Sequence, residues 1–248
     1  MPRHAFTLIE MMVVVAIMAV LASLLIPTIG VVRRLVNDVK CGNQLQQIGA
    51  AIEVYKLNND EQFPARLRWD ERDPLAGNPI TSDLFHSGGP LVGLTKILVC
   101  PRDARDGKDT NMGRLAPGGS GWDDLSTIYT FGSSYCYEVS GVVLSPGLRN
   151  FFFEDLPSNE RPTTATWSSG KHHQVQFGNL TNGVGSAKGA PFPTSLFPII
   201  RCYWHTQWTG NKDKDASRKR GVRNVSWDLN VFDTSPYWEH DVNPDIPY

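Results

Sequence analysis

The hydrophobic residues at the start of the chain form one long block. From Met11 to Ile26, sixteen consecutive residues carry no charge. Counted from Phe6 the segment has 21 residues, which corresponds to about 31 Å of α-helix and matches a hydrocarbon core about 30 Å thick. We therefore predict a membrane-spanning helix over residues 6–29. Glu10 lies inside it, where a lone carboxylate is unfavourable, so Glu10 either lies at headgroup level or pairs with a cation.

Beyond Pro27 the hydrophobic pattern becomes one-sided. Apolar residues recur at steps of three and four, as on one face of an α-helix. They are Val31, Leu35, Val39, Gly42, Leu45, Ile48, Ile52 and Tyr55. This spacing predicts an amphipathic stem helix over residues 30–57 that continues the first helix. Pro27, followed by Gly30, predicts a kink or a local loss of helix between the two parts.

Residues 58–248 show short hydrophobic segments separated by clusters of Gly, Pro, Asn and Asp. This pattern predicts a globular head built on an antiparallel β-sheet, and hence an α+β fold for the whole chain. The predicted strands cover residues 96–100, 126–139, 142–144, 150–154, 174–177, 196–204 and 223–232. Long loops are expected over residues 103–124, 179–194 and 209–220.

Composition and charge exclude several classes of function. The chain has 248 residues with 24 Lys and Arg against 25 Asp and Glu, a formal net charge of −1, so a nucleic-acid partner is not expected. The sequence contains no nucleophile elbow, phosphate loop, dinucleotide fingerprint or zinc-protease motif. We therefore expect a protein that is not an enzyme and that needs no cofactor.

Four cysteines are candidates for covalent or metal chemistry. Cys100, Cys136 and Cys202 lie in the predicted head, and we expect one disulfide among them, with the pairing open. Cys41 lies on the stem helix, where we expect it to be out of reach of the others. A zinc site would use Cys202-x-x-His205 together with Cys100 and Cys136, but the doubled Cys-x-x-Cys spacing that makes such a prediction strong is missing.

Acidic and histidine residues give weaker signals. Asp103, Asp106 and Asp109 lie in a Gly-containing loop and are weak candidates for calcium ligands, although their spacing does not match the twelve-residue calcium loop. The ordinary interpretation is a solvated acidic loop. His172 and His173 fall near a predicted strand, where adjacent side chains point to opposite faces, so we expect a polar edge and not a metal pair.

The first residues resemble a known processing signal. Residues 3–14 read Arg-His-Ala-Phe-Thr-Leu-Ile-Glu-Met-Met-Val-Val, which is similar to the motif of type IV pilins and of the pseudopilins of type II secretion. The resemblance implies a leader over residues 1–5, cleavage between Ala5 and Phe6 by prepilin peptidase, and methylation of the new Phe6 amine. Ala5 stands where the family usually has Gly. Glu10 and Pro27 match the family's glutamate and its helix-bending proline.

The same resemblance continues more weakly along the chain. Residues 41–49 are similar to the stem of a bacterial group of pseudopilin-like proteins. Residues 224–231 are similar to that group's terminal Asn-Val-x-x-x-Asp-Gly-x-Val segment, with one residue fewer before Asp228 and with Leu229 in place of the glycine.

The resemblance implies a structural role in the cell envelope. The expected function is that of a pseudopilus subunit of type II secretion, single-pass in the bacterial inner membrane, with a cytoplasmic amino terminus and a periplasmic head over residues 58–248. Expected partners are prepilin peptidase, other copies and pseudopilins in a filament, and the inner-membrane assembly platform. In that filament, Glu10 of one subunit would pair with the Phe6 amine of another.

Three alternatives remain open from the sequence. The chain could be a type IV pilus subunit for adhesion, motility or DNA uptake. It could instead carry a ligand-binding or enzymatic head, whose sign would be a polar pocket lined by His172, His205 or Asp228. Lastly, residues 20–22 would serve as a signal-peptidase site in an exported soluble protein, although Glu10 in the apolar region argues against this.

Overall fold

The computed structural model describes only part of the chain, in two compact units. The described residues are 7–65, 67, 84, 91, 94–104, 133–141, 143–178, 189–206, 221–236 and 238–242. The units are Met1–Lys40 and Cys41–Tyr248. The expected loops over 103–124, 179–194 and 209–220 lie mostly outside the described residues.

The N-terminal unit contains the first part of helix α1, which extends over Leu8–Asn58. The helix is unbroken at position 27, so the local loss of helix expected at Pro27 does not occur. Every described side chain from Thr7 to Val36 is exposed, for example Leu8 at 78% and Val31 at 68%. Among the described residues, no helix combines the length and the apolar character that crossing a bilayer requires.

The C-terminal unit is built on a four-stranded antiparallel sheet in the order β1-β2-β3-β4. The strands are β1 Cys136–Tyr137, β2 Pro198–Cys202, β3 Val222–Ser226 and β4 Val231–Thr234. With the long N-terminal helix, this sheet confirms the predicted α+β class. The strand predicted over 196–204 is confirmed, and the segment predicted over 223–232 is a hairpin of β3 and β4.

One face of the sheet packs on the last turns of α1. Leu45, Ile48 and Ile52 are fully buried there, together with Ile200 and Val225 of the sheet. These three stem residues were predicted from their helical spacing, and that prediction is confirmed. Burial along α1 begins at Cys41, however, so Val31, Leu35 and Val39 of the predicted face remain exposed.

The opposite face of the sheet is covered by short helices. They are α2 Pro146–Phe152, α3 Trp167–Phe177 and α4 Trp238–Val242. Phe152 and Trp167 pack there with Cys136, Tyr203 and Val222. Within the C-terminal unit, the sheet thus lies between the last turns of α1 on one side and three short helices on the other.

Three predicted strands are wrong, and local capping explains two of them. Residues 150–154 mostly belong to α2, which begins after Ser145, whose hydroxyl accepts from the Leu148 amide. Residues 174–177 end α3, where Thr166 and Ser169 form a capping box at the helix start. Residues 96–98 instead belong to the 3-10 helix Thr95–Leu98. The strand predicted over 142–144 is reduced to a single bridge between Val143 and Thr166.

The turn between β3 and β4 places a leucine in the left-handed region. Leu229 has φ 63° and donates its amide to the Ser226 carbonyl at 2.9 Å. This is the position at which the similar terminal segment has glycine. The Leu229 side chain packs against the core between the sheet and α1, so packing offsets the backbone strain.

We expect glycine to be tolerated better than alanine at position 229. Both substitutions remove the leucine contacts, but only glycine relieves the left-handed strain of about 1–2 kcal/mol. In urea unfolding, Leu229→Gly should therefore have a higher free energy of unfolding than Leu229→Ala. At the neighbouring exposed Asn230, whose φ is not positive, alanine should be the more stable of the same two substitutions. The same order at both positions would contradict this account.

Candidate functional site

The start of α1 is held by a reciprocal pair of hydrogen bonds. The Thr7 amide donates to Glu10 Oε2 at 2.8 Å, and the Thr7 hydroxyl donates to the same oxygen at 2.7 Å. The Glu10 amide points back at Thr7 Oγ1, 3.4 Å away. This is a capping box, in which a Thr and a Glu three residues later satisfy the free amides of the helix start. The Thr-x-x-Glu spacing before an apolar run is the sequence signal for such a box.

The structure describes only some of the other residues that are predicted to act in the first helix. Ala5 and Phe6 lie outside the described residues, and Pro27 lies in α1 with its side chain also outside them. The side chains of this helix that the structure describes, on either side of residues 24–28, present many apolar groups to solvent. Its large exposed side chains are Leu8, Ile9, Met11, Met12, Val13, Val14, Val15, Ile17, Met18, Val20, Leu21, Ile29, Val31, Val32, Leu35, Val36 and Val39. An apolar surface of this extent marks a surface that is covered by lipid or by other proteins.

A cluster of three thiols and one imidazole lies where α1 meets the sheet. It consists of Cys41 on α1, Cys100 after the 3-10 helix, Cys202 at the end of β2, and His205 in the following turn. Their ligand atoms all lie within 4.8 Å of one another, and Cys100 Sγ is 3.4 Å from His205 Nε2. The three cysteines are buried. We call this group the thiol–imidazole cluster.

Two expectations about the cysteines are wrong. Cys41 is not out of reach of the head cysteines but contacts two of them, because the last turns of α1 pack directly on the sheet. Cys136 is not part of their group, since it lies opposite Arg201 across β1 and β2 and therefore points to the other face of the sheet from Cys202. No disulfide joins any two of the four cysteines.

The thiols of the cluster perturb one another. Hydrogen bonds from Cys202 and Cys41, together with His205, lower the pKa of Cys100. Burial raises the pKa of Cys202, and the hydrogen bond to Cys100 raises the pKa of Cys41. Cys100 is thus the cysteine of the cluster whose pKa is lowered, and its sulfur also accepts the Arg102 amide at 3.4 Å.

The remaining candidate residues are dispersed. His172 and His173 lie on α3 and not on a strand, so the expected polar edge is wrong. His172 Nδ1 is 2.8 Å from the Ser168 carbonyl, and His173 faces Asp155 at 3.2 Å. Both line an open groove of about 550 Å³. His205 belongs to the thiol–imidazole cluster and is not part of this groove.

Two of the acidic candidates, Asp103 and Asp228, are not among the residues that line this groove. The Asp228 carboxylate accepts the Thr194 hydroxyl at 2.8 Å, and the groove that His172 lines includes neither His205 nor Asp228. Asp103 accepts the Ser134 hydroxyl, while Asp106 and Asp109 lie outside the described residues. Calcium binding by this loop therefore stays a prediction.

Comparison with known proteins identifies the first segment. Residues 1–26 match the family described as the prokaryotic N-terminal methylation motif. The chain carries a prepilin-type processing signal. The motif is that of precursors that prepilin peptidase cleaves and that assemble with pilin-like subunits, and it is consistent with the long helix and antiparallel sheet of a pilin-like fold. The search of curated proteins and that of solved structures found no match to this chain.

Proposed function

We propose that the protein is a structural subunit of a type II secretion pseudopilus. The observation that carries this proposal is the combination of the methylation motif over residues 1–26 with an exposed apolar helix that leads into a separate compact head. A retained apolar helix has a use only where lipid or neighbouring helices cover it. The chain's role is then assembly and not catalysis.

Before assembly the subunit resides in the bacterial inner membrane. Residues 6–29 span the bilayer, with the amino terminus in the cytoplasm and the head in the periplasm. The sixteen uncharged residues from Met11 to Ile26 support this placement. Prepilin peptidase removes residues 1–5 and methylates Phe6, and the inner-membrane platform then transfers the subunit into the filament.

Within the filament, Glu10 of an incoming subunit pairs with the Phe6 amine of a subunit already in place. The capping box supports this pairing because it holds the Glu10 carboxylate at the first turn of α1, close to the new terminus. Burying both charges together avoids the penalty of leaving either one unpaired in an apolar environment. The pair therefore selects the register of the helices more than it adds net stability.

The predicted loops favour a short periplasmic filament over a surface fibre. Long loops over residues 103–124 and 179–194 would be difficult to pack in a long, tightly wound pilus. A type IV pilus subunit would be recovered from sheared surface material, so electron microscopy of that material separates the two functions.

The test is to express the wild type, Glu10→Gln and Glu10→Ala in the native host and to measure processing and assembly together. Mass spectrometry should show a methylated Phe6 terminus in all three. Glutamine retains the capping acceptor but removes the charge, so both variants should lose assembled, cross-linkable multimers if the charge pairs with the amine.

The outcomes separate the two parts of the proposal. An intact Met1 or a cut near Ala22 would contradict processing as a prepilin. Multimers of Glu10→Gln at the wild-type yield would contradict the charge pairing and leave helix capping as the role of Glu10.

A further inference from the structure

The thiol–imidazole cluster has the composition of a closed metal site. Three cysteines and one histidine form one of the common ligand sets of structural zinc, in which all four coordination positions are taken by protein. Thiolate ligands also exclude the hard cations calcium and magnesium, which prefer oxygen. The question is whether the four ligand atoms have the separations that one ion requires.

The distances between the ligand atoms agree with a single tetrahedral ion. With Zn–S bonds of about 2.3 Å, the sulfur atoms of a tetrahedral site lie about 3.8 Å apart, and a nitrogen ligand lies about 3.6 Å from each sulfur. The four ligand atoms of the cluster lie within 4.8 Å of one another, and the Cys100 Sγ–His205 Nε2 distance is 3.4 Å. Only small movements of side chains separate this arrangement from the ideal one.

The residues around the cluster also suit a metal site. The Arg102 amide donates to Cys100 Sγ at 3.4 Å, and the Tyr135 hydroxyl lies 3.9 Å from Cys41 Sγ and donates to Gln44 Oε1 at 2.9 Å. Hydrogen bonds of this kind from an outer shell orient the ligands and offset their negative charge. Burial of Cys41, Cys100 and Cys202 at 0–1% exposure keeps water from the ligands.

We propose that Cys41, Cys100, Cys202 and His205 bind one zinc ion that joins the C-terminal turns of α1 to the sheet. Each ligand comes from a different place in the fold: α1, the segment after the 3-10 helix, the end of β2 and the turn beyond it. The ion would therefore connect three chain segments that are distant in sequence. All four residues lie in the unit Cys41–Tyr248, so the site does not depend on the proposed assembly function.

A disulfide is the competing use of these thiols. It would join two of the three cysteines, leave the third as a lone thiol, and give His205 no role. Convergence of all three sulfurs with the imidazole nitrogen favours the ion, and the two outcomes differ in metal content and in mass.

The experiment measures zinc in the full chain, purified in detergent with a phosphine reductant and without chelator. Elemental analysis should find about one zinc per wild-type chain, as expected for one closed site. Cys136→Ser is the matched control, since it removes a buried cysteine that lies outside the cluster, and it should keep the zinc. Cys41→Ser and His205→Ala should weaken zinc binding by more than about 100-fold, beyond the effect of losing an outer-shell partner.

Two further measurements keep the test informative if a serine variant fails to fold. His205→Cys should retain the ion, because four cysteines also form a closed zinc site. Cobalt(II) added to the metal-free wild type should give the intense visible bands of a tetrahedral thiolate complex, with stronger sulfur-to-metal absorption in His205→Cys. Chelation should lower the melting temperature of the wild type and of Cys136→Ser, since an ion bound only to the folded state stabilises it.

Any one of three results would overturn the proposal. The first is a wild-type chain that contains no zinc and gives no tetrahedral cobalt spectrum. The second is a disulfide between any two of Cys41, Cys100 and Cys202 in the reductant-free protein, and the third is an equal loss of zinc in Cys136→Ser and Cys41→Ser.

Discussion

Replacing Lys171 by methionine should destabilise the folded head by about 3–5 kcal/mol, the usual cost of removing one partner from a buried ion pair. Lys171 Nζ lies 3.2 Å from Glu138 Oε2, and both side chains are only 5% exposed. Arg201 is the second cation near Glu138, at 3.7 Å. Without the lysine, the buried carboxylate keeps only the longer of its two ion pairs, together with the Cys136 thiol, which donates to it at 3.5 Å.

Aromatic rings surround the same lysine and explain why it is tolerated there. Its ammonium lies 5.5–5.8 Å from the centres of four rings. These belong to Phe152, Trp167, Phe197 and Trp238. A cation over the face of an aromatic ring is attracted by its quadrupole, more strongly where water is excluded. Methionine fills most of the volume but loses both the charge contact and this attraction.

The cost of Lys171→Met should decrease as the pH falls. Burial alone would raise the pKa of Glu138, but the charges of Lys171 and Arg201 hold it below its ordinary value near 4.5. In the wild type, Glu138 therefore contributes stability above that ordinary value, and this contribution is lost as the pH falls through the lower pKa of the folded state. In the variant the carboxyl is protonated more easily, so acidification removes the uncompensated charge.

Glu239 responds in the opposite sense in the wild type. Burial raises the pKa of Glu239. Its contribution to the stability of the fold is therefore full below the ordinary carboxyl pKa and is lost as the pH rises through the pKa of the folded state. Because Lys171 also stabilises the Glu239 carboxylate, its removal raises that pKa further. Both carboxyls therefore make the variant less destabilised at pH 4 than at pH 7.

Urea unfolding of the full chain in detergent at the two pH values provides the measurement. Lys56→Met is the control, because the acidic partners of Lys56, Glu53 and Glu61, are 40% and 70% exposed. This substitution should lower the free energy of unfolding by less than about 1 kcal/mol. The double variant Glu138→Gln/Lys171→Met should be more stable than Lys171→Met alone, since it leaves no unpaired carboxylate at position 138. A double variant that is less stable by the sum of the two single effects would contradict the pairing.

The parts of the fold that the sequence predicts are those encoded by local periodicity. Leu45, Ile48 and Ile52 follow the helical repeat, and they are buried as expected. The apolar segment around Ile199 and Ile200 is a strand with both faces covered. The alternation of residues along a strand indicates which side chains share a face of the sheet. It does not indicate which element covers that face, because this depends on segments far away in the chain.

The sequence does not predict helices α2 and α3, and the reason is different. Their aromatic residues and Val175 have a high strand propensity, against which two short capping signals, Ser145 before Pro146 and Thr166 with Ser169, are weak. Propensity is a weak indicator where tertiary packing decides the outcome. In α3, Trp167, Lys171 and Gln174 are buried at steps of four and three, a helical repeat that a search for apolar residues alone does not reveal because two of its members are polar.

Three of the four members of the thiol–imidazole cluster are predictable from the sequence. The spacing of Cys202-x-x-His205 together with Cys100 indicates zinc-type ligands, but the predicted set contains Cys136 where the structure has Cys41. One signal for Cys41 was available: it lies four residues before Leu45 and seven before Ile48, and therefore continues the buried stripe of α1. Assigning Cys136 to the other face needed the register of β1 against β2, which sequence alone does not provide.

Leu45→Ala should destabilise the head by about 2–5 kcal/mol, because it leaves a cavity between α1 and the sheet. Leu45 is completely buried in the main core, where surrounding side chains cannot collapse fully into the space. The same helix offers two matched controls with the same change in helix propensity. Leu57 is 69% exposed in the C-terminal unit and Leu35 is 65% exposed in the N-terminal unit.

The three leucines should separate stability from assembly. Leu57→Ala should change the free energy of unfolding by no more than about 0.5 kcal/mol, as expected for an exposed site. Leu35→Ala should leave the stability of the head unchanged but lower the yield of cross-linked multimers, because the apolar surface of the N-terminal unit is the surface proposed to pack in the filament. Equal losses of stability in Leu45→Ala and Leu57→Ala would show that the last turns of α1 do not form the core of the head. A Leu35→Ala variant that unfolds as easily as Leu45→Ala would show that position 35 also contributes to the folded head, and the division of α1 into an assembly part and a core part would then fail.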